Sequence, residues 1–123
     1  SGSKAFSQNK GSAAIQGALS YATLKVKYAD YIDKLFRKII NNFRIIEQMR
    51  PTSYKIGKVI FVFGIAPDGS LSRCEAVYCN EEMIAEKNIC EEAVRTAAPF
   101  DPLTPEMLKD QELFNNIGFY VTF

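Results

Sequence analysis

Few residues in this chain have the types and spacing that chemistry needs. The segment Ile65-Ala66-Pro67-Asp68-Gly69-Ser70-Leu71 sets a carboxylate beside a glycine and a hydroxyl. A calcium loop needs further oxygen ligands at short spacing, and none follow Asp68 before the apolar run resumes. A phosphate cradle needs glycines running into Lys-Ser/Thr, which Gly57, Gly64 and Gly69 lack. Cys74, Cys79 and Cys90 are separated by four and ten residues, not the paired knuckles of a zinc site. An odd count permits one disulfide and one free thiol. Glu81, Glu82, Glu86, Glu91 and Glu92 imitate a paired-carboxylate site, but their spacing reads as the solvated side of a helix and its lead-in loop. There is no histidine, which removes Ser-His and Cys-His nucleophile pairs, His-ligated zinc and the usual neutral-pH base. The expectation is a chain that is not an enzyme, with no metal and no cofactor.

The totals point the same way. The 123 residues make one domain, and with 47% hydrophobic residues, nine Phe and six Tyr the chain can bury a core. No run is long and apolar enough to span a membrane. A net charge of +1 argues against a general nucleic-acid binder. The charge is uneven: residues 25–58 hold nine basic and three acidic side chains, residues 68–112 four basic and eleven acidic. Such a division reads as solvated helix surfaces, or as two faces that steer different partners.

The elements that position these residues follow from periodicity. Residues 1–20, rich in Ser, Gly, Ala, Gln and Lys, read as a tag scar and a poorly ordered linker end. Residues 22–28 suit either a short strand or the first turns of a helix. Tyr28, Tyr31, Ile32, Leu35, Phe36, Ile39, Ile40 and Phe43 then recur as the apolar stripe of a helix. Lys58–Ile65 is β-branched and aromatic, and reads as a strand with Val59, Phe61, Phe63 and Ile65 on one face. Pro67, Asp68 and Gly69 suit a hairpin turn: Pro presets φ, and Gly accepts a positive one. Leu71–Cys79 returns as a second strand with a bulge near Ser72-Arg73. A second helix over 86–97 buries Ile89, Cys90, Ala93, Val94 and Ala97, and a helical turn is expected at 105–109. The last strand lies within 114–123, where Ile117, Phe119, Val121 and Phe123 alternate with Gly118, Tyr120 and Thr122. The fold class is α+β: a three-stranded antiparallel sheet with two main helices packed on one face, in one domain over 21–123.

Taken in order, Y-I-x-x-L-F-x-K-I-x-x-N-F, G-K-V-I-F-V-F-x-I-A-P-D-G-x-L, I-C-E-E-A-V-R-T-A-A-P-F-D-P-L and a closing F-x-V-x-F resemble the C-terminal domains of the TonB and TolA proteins over residues 28–123. The Cys90/Ala93 pair leans to TolA, whereas A-A-P-F-x-P-L is at least as typical of TonB. The resemblance implies a periplasmic binding module at the end of a stalk, anchored upstream in the inner membrane, and no nucleic-acid partner. Its partners would be outer-membrane receptors or periplasmic proteins of the Tol-Pal type, bound by adding a strand to the sheet edge at Ile117, Gly118, Phe119, Tyr120, Val121, Thr122 and Phe123. A strand-swapped dimer is a further expectation. The resemblance also implies a bridge from Cys90 to the sheet. If Ile65 faces Leu71, Cys79 lies opposite about Gly57 and is the expected partner; Cys74–Cys90 and three free thiols are the alternatives. A different envelope or secretion-system adaptor of similar topology is the alternative function.

Overall fold

A computed structural model of the chain describes residues 8–50 and 55–122. Its elements are α1 (Gln8–Lys27), α2 (Ala29–Met49), β1 (Lys58–Ile65), β2 (Leu71–Cys79), a 3-10 turn (Glu81–Met83), α3 (Ile84–Ala97), α4 (Pro105–Leu108), α5 (Gln111–Phe114) and β3 (Ile117–Thr122). The sheet is antiparallel with strand order β2-β1-β3, so β1 is central.

The apolar stripe of α2 and the alternation of β1 build the main core. Val59, Phe61, Phe63 and Ile65 point to one face and are fully buried. Against them α2 sets Ile32, Leu35 and Ile39, and α3 sets Ile89, Cys90, Ala93, Val94 and Ala97. The Val, Leu, Ile and Phe side chains among them each contribute on the order of 1.5–3 kcal/mol by leaving water. Phe119 locks β3 into this layer: its ring stacks on Phe61 at 5.8 Å and takes the edge of Phe36 at 5.7 Å.

The linker expected at 1–20 is corrected from Gln8 onward, because α1 begins there; residues 1–7 lie outside the described residues. The ambiguous stretch 22–28 is helical up to Lys27. Alanine is the best helix former, and α1 is rich in it. Its buried positions Gly17, Ser20 and Leu24, with Tyr28 just past its end, fall three or four apart. At Gly17 this buried face rests on the side of the sheet opposite α2 and α3, whereas Leu24 and Tyr28 join the core that α2 and α3 build. Val62, which alternates away from Phe61 and Phe63, is fully buried there, its Cγ2 3.3 Å from the place a Cβ on Gly17 would take. The sheet therefore has α2 and α3 on one face and the Gly17 region of α1 on the other, while Tyr21 and Leu24 further along α1 pack into the α2 and α3 core. At Tyr28 the backbone leaves helical geometry (φ −135°, ψ 53°) and redirects the chain into α2.

The hairpin forms as read. Ile65 pairs with Leu71, and Gly69 takes φ +90°. Asp68 accepts from the Ser70 N–H at 2.9 Å and from its hydroxyl at 2.6 Å. The turn does a second job that the sequence did not reveal: its carbonyls anchor the loop after α3. Phe100 N–H donates to Gly69 O at 2.8 Å, and Leu103 N–H to Pro67 O at 3.0 Å. The register corrects one expectation. Cys79 faces Val59, not Gly57, because β2 carries two extra residues: Ser72, at the expected bulge, and Val77. β3 begins at Ile117; Phe114 belongs to α5, buried against the rings of Tyr28 and Tyr31.

Candidate functional site

Strand β3 has one strand neighbour among the described residues, and its far side is an edge. The direction of its backbone groups follows from one bond. Lys58 N–H donates to Asn80 Oδ1 at 3.0 Å, toward the β2 side. Amides alternate in direction along a strand, so Lys58, Ile60, Val62 and Gly64 address β2, while Val59, Phe61 and Phe63 address β3. Their partners are Val121, Phe119 and Ile117. Gly118, Tyr120 and Thr122 thus turn their N–H and C=O groups outward, onto the edge.

That edge is closed at one end and open at the other. At Gly118 the backbone of α1 lies so near that a Cβ on Gly17 would sit 2.8 Å from Gly118 Cα. Tyr120 is 68% exposed, and Thr122 is exposed as well. Phe123, also expected on the edge, lies outside the described residues.

Beside the open part, α1 and α2 stand apart and leave a cavity of about 660 Å³. Its inner wall is Phe36, Ile39, Ile40 and Phe43 of α2 with Phe119 and Val121. Its outer wall is Ala14 and Ala18 of α1 with Ile60 and Tyr120, and the small residues Cys90 and Ala93 floor the inner side. Arg44, Glu47 and Lys58 supply the charge. Lys58 lies over the Tyr78 ring, 5.7 Å from its centre. An edge with free backbone donors and acceptors beside apolar walls is the arrangement that strand addition uses.

The other candidates fall elsewhere. Pro67, Asp68 and Gly69 form the turn at the far end of β1, where Asp68 is held below its usual carboxylate range by its bonds to Ser70. No disulfide joins Cys74, Cys79 and Cys90. Cys79 and Cys90 share a small core cluster with Val59, Phe61 and Met83. Burial pushes Cys90 up to about 12, helped by Cys79 nearby, and Cys74 up to about 11. Thiols so held are protonated at neutral pH and make poor nucleophiles. Among the described residues no three metal-ligating side chains gather.

One acidic residue departs from its expected solvated place. Glu86 is buried, with Lys55 Nζ 3.5 Å from its Oε1. Its position one helical turn before Ile89 and Cys90 puts it on the inward side of α3, which the sequence signals by spacing alone. Glu91 and Glu92 pair at the surface with Arg95 and Arg50.

Comparison with protein-family models, curated proteins and solved structures finds no match to this chain.

Proposed function

We propose that this chain is a protein-binding domain that takes up an extended segment of a partner as a further strand on the free edge of β3. The observation that carries the reading is the outward set of backbone groups at Tyr120 and Thr122, exposed beside apolar walls. Unpaired edge groups are a template for another chain unless covered, and here the close backbone contact with α1 is at Gly118, while Tyr120 and Thr122 stay exposed. Main-chain hydrogen bonds would supply affinity, and the walls on either side would select the partner's alternate side chains.

Together with the colinear likeness of residues 28–123 to TonB and TolA C-terminal domains, this supports reading the chain as the periplasmic end of an inner-membrane-anchored envelope energy transducer. Outer-membrane receptors or Tol-Pal-type proteins would be its partners. The experiment is a paired capture from Gram-negative envelope extracts with the wild-type domain and Tyr120→Pro. Proline there deletes an outward N–H and leaves the β1–β3 ladder whole. A partner held by the wild type and lost by the variant supports the reading. A partner held equally by both contradicts it, and a domain that only pairs with itself replaces it by a strand-swapped dimer.

A further inference from the structure

We propose that the cavity between α1, α2 and β3 is a binding site for a long-chain carboxylate, with the hydrocarbon chain along the α2 wall and the carboxylate on Arg44. The proposal goes beyond strand addition and does not depend on it: strand addition needs the β3 backbone, whereas this ligand needs the side-chain walls and one cation.

Three observations carry it. The first is size and lining. At about 660 Å³ the cavity falls within the range of small-molecule sites, and its walls are mostly Ile, Phe, Val and Ala, with Tyr21 and Tyr120 beside them and charge confined to three residues. The second is exposed apolar surface. Ile40 is 46% exposed on the cavity wall, so an occupant of hydrocarbon would remove it from water. The third is charge. Among the described residues Arg44, like Arg37, Lys38, Lys58, Lys87 and Lys109, takes part in no ion pair, and it is the guanidinium that lines the cavity. A guanidinium pairs with a carboxylate through two parallel hydrogen bonds. Glu47 lies one turn further along α2, also at the cavity, and repels a second negative charge. A singly charged carboxylate therefore suits the site better than a phosphate head.

The test is displacement of a fluorescent polyene fatty acid from the full chain by hexadecanoate below its micellar concentration. Hexadecan-1-ol and a single-chain phospholipid serve as comparisons. Saturable binding at one site per chain is expected. Arg44→Glu should weaken it about tenfold or more, the loss of one charge-assisted contact. Ala18→Phe, on an exposed position of the outer wall, should block the cavity while circular dichroism stays native. No saturable binding overturns the proposal. So does equal affinity for hexadecan-1-ol, preference for the phospholipid, or indifference to both substitutions. Thr122→Pro deletes the other outward N–H of the edge at a residue that does not line the cavity, so failure of strand addition and failure of this site are read separately.

Discussion

Gly17 of α1 and Gly118 of β3 meet backbone to backbone: a Cβ on Gly118 would lie 2.7 Å from the Gly17 carbonyl carbon, and one on Gly17 would lie 2.8 Å from Gly118 Cα. This contact fastens α1 to the second face of the sheet and marks where the free edge begins. It also gives a test by sign. On an open helix surface Gly17→Ala would stabilise by about 1 kcal/mol. Here it and Gly118→Ala should each destabilise, by about 1–3 kcal/mol for forced backbone shifts. Urea unfolding of the two variants measures this, and a stabilised Gly17→Ala would mean that α1 does not lie on β3.

A second glycine is fixed by conformation. Gly69 holds φ +90°, and a Cβ there would run into the Phe100 carbonyl, whose carbon would be 2.9 Å away. Gly69→Ala should cost more than about 2 kcal/mol, since left-handed strain alone is about 1–2 kcal/mol. Amide exchange should rise at Phe100 and Leu103, which bond to this turn, more than in α2.

The thiols give a test of accessibility and of pairing. Burial keeps Cys74 and Cys90 protonated, so alkylation of the native, reduced protein at pH 8 should be slow, and denaturant should release three reactive thiols. Cys79 and Cys90 occupy one cluster, so a mild oxidant that accepts two electrons and two protons should join them and leave Cys74 as the thiol counted. Peptide mapping that finds Cys74 in the bridge, or three thiols after oxidation, would contradict the pairing.

Two tyrosines predict the alkaline behaviour. The hydrogen bond to Asp110, 2.5 Å from the hydroxyl, raises Tyr28 from 10.0 to about 12. Burial does the same to Tyr31, whose hydroxyl donates to Asp101 O at 2.7 Å. A raised folded value means that the neutral phenol is favoured by folding. The stability it contributes is complete below pH about 10 and is lost as pH rises toward 12. Spectrophotometric titration should show two late phenols in the native protein, and Tyr28→Phe and Tyr31→Phe should each remove one. Titration of every phenol near pH 10 would refute the assignment.

Much of the fold could be read from period and turn chemistry. The stripe from Ile32 to Phe43, the alternation in β1 and β3 and the Pro67-Asp68-Gly69 turn are local signals, and each sits where local physics puts it. What stayed hidden depends on pairing at a distance. The helix α1 has a buried face of Gly17, Ser20 and Leu24, and the packing value of its glycine appears only once Gly118 leaves room for it. One clue was present: Ile60 and Val62 make β1 apolar on both faces, as a strand covered on both sides should be. The bulge at Val77 has no sequence mark; with the one at Ser72 it shifts the register by two residues, so that Cys79 faces Val59 and not Gly57. Of the candidate site, the edge strand was legible as the last alternating run. The wall formed by α1 was not, because its alanines also suit a linker.

The central claim is that a partner adds to β3 from outside. Residue-resolved amide exchange of the domain, free and bound to a captured partner, tests it most directly. The account predicts that the N–H groups of Tyr120 and Thr122, open in the free domain, slow strongly in the complex. Those of Phe119 and Val121, already bonded to β1, should change little. Protection that appears instead along β2 or on α3, with Tyr120 and Thr122 exchanging as before, would contradict the claim.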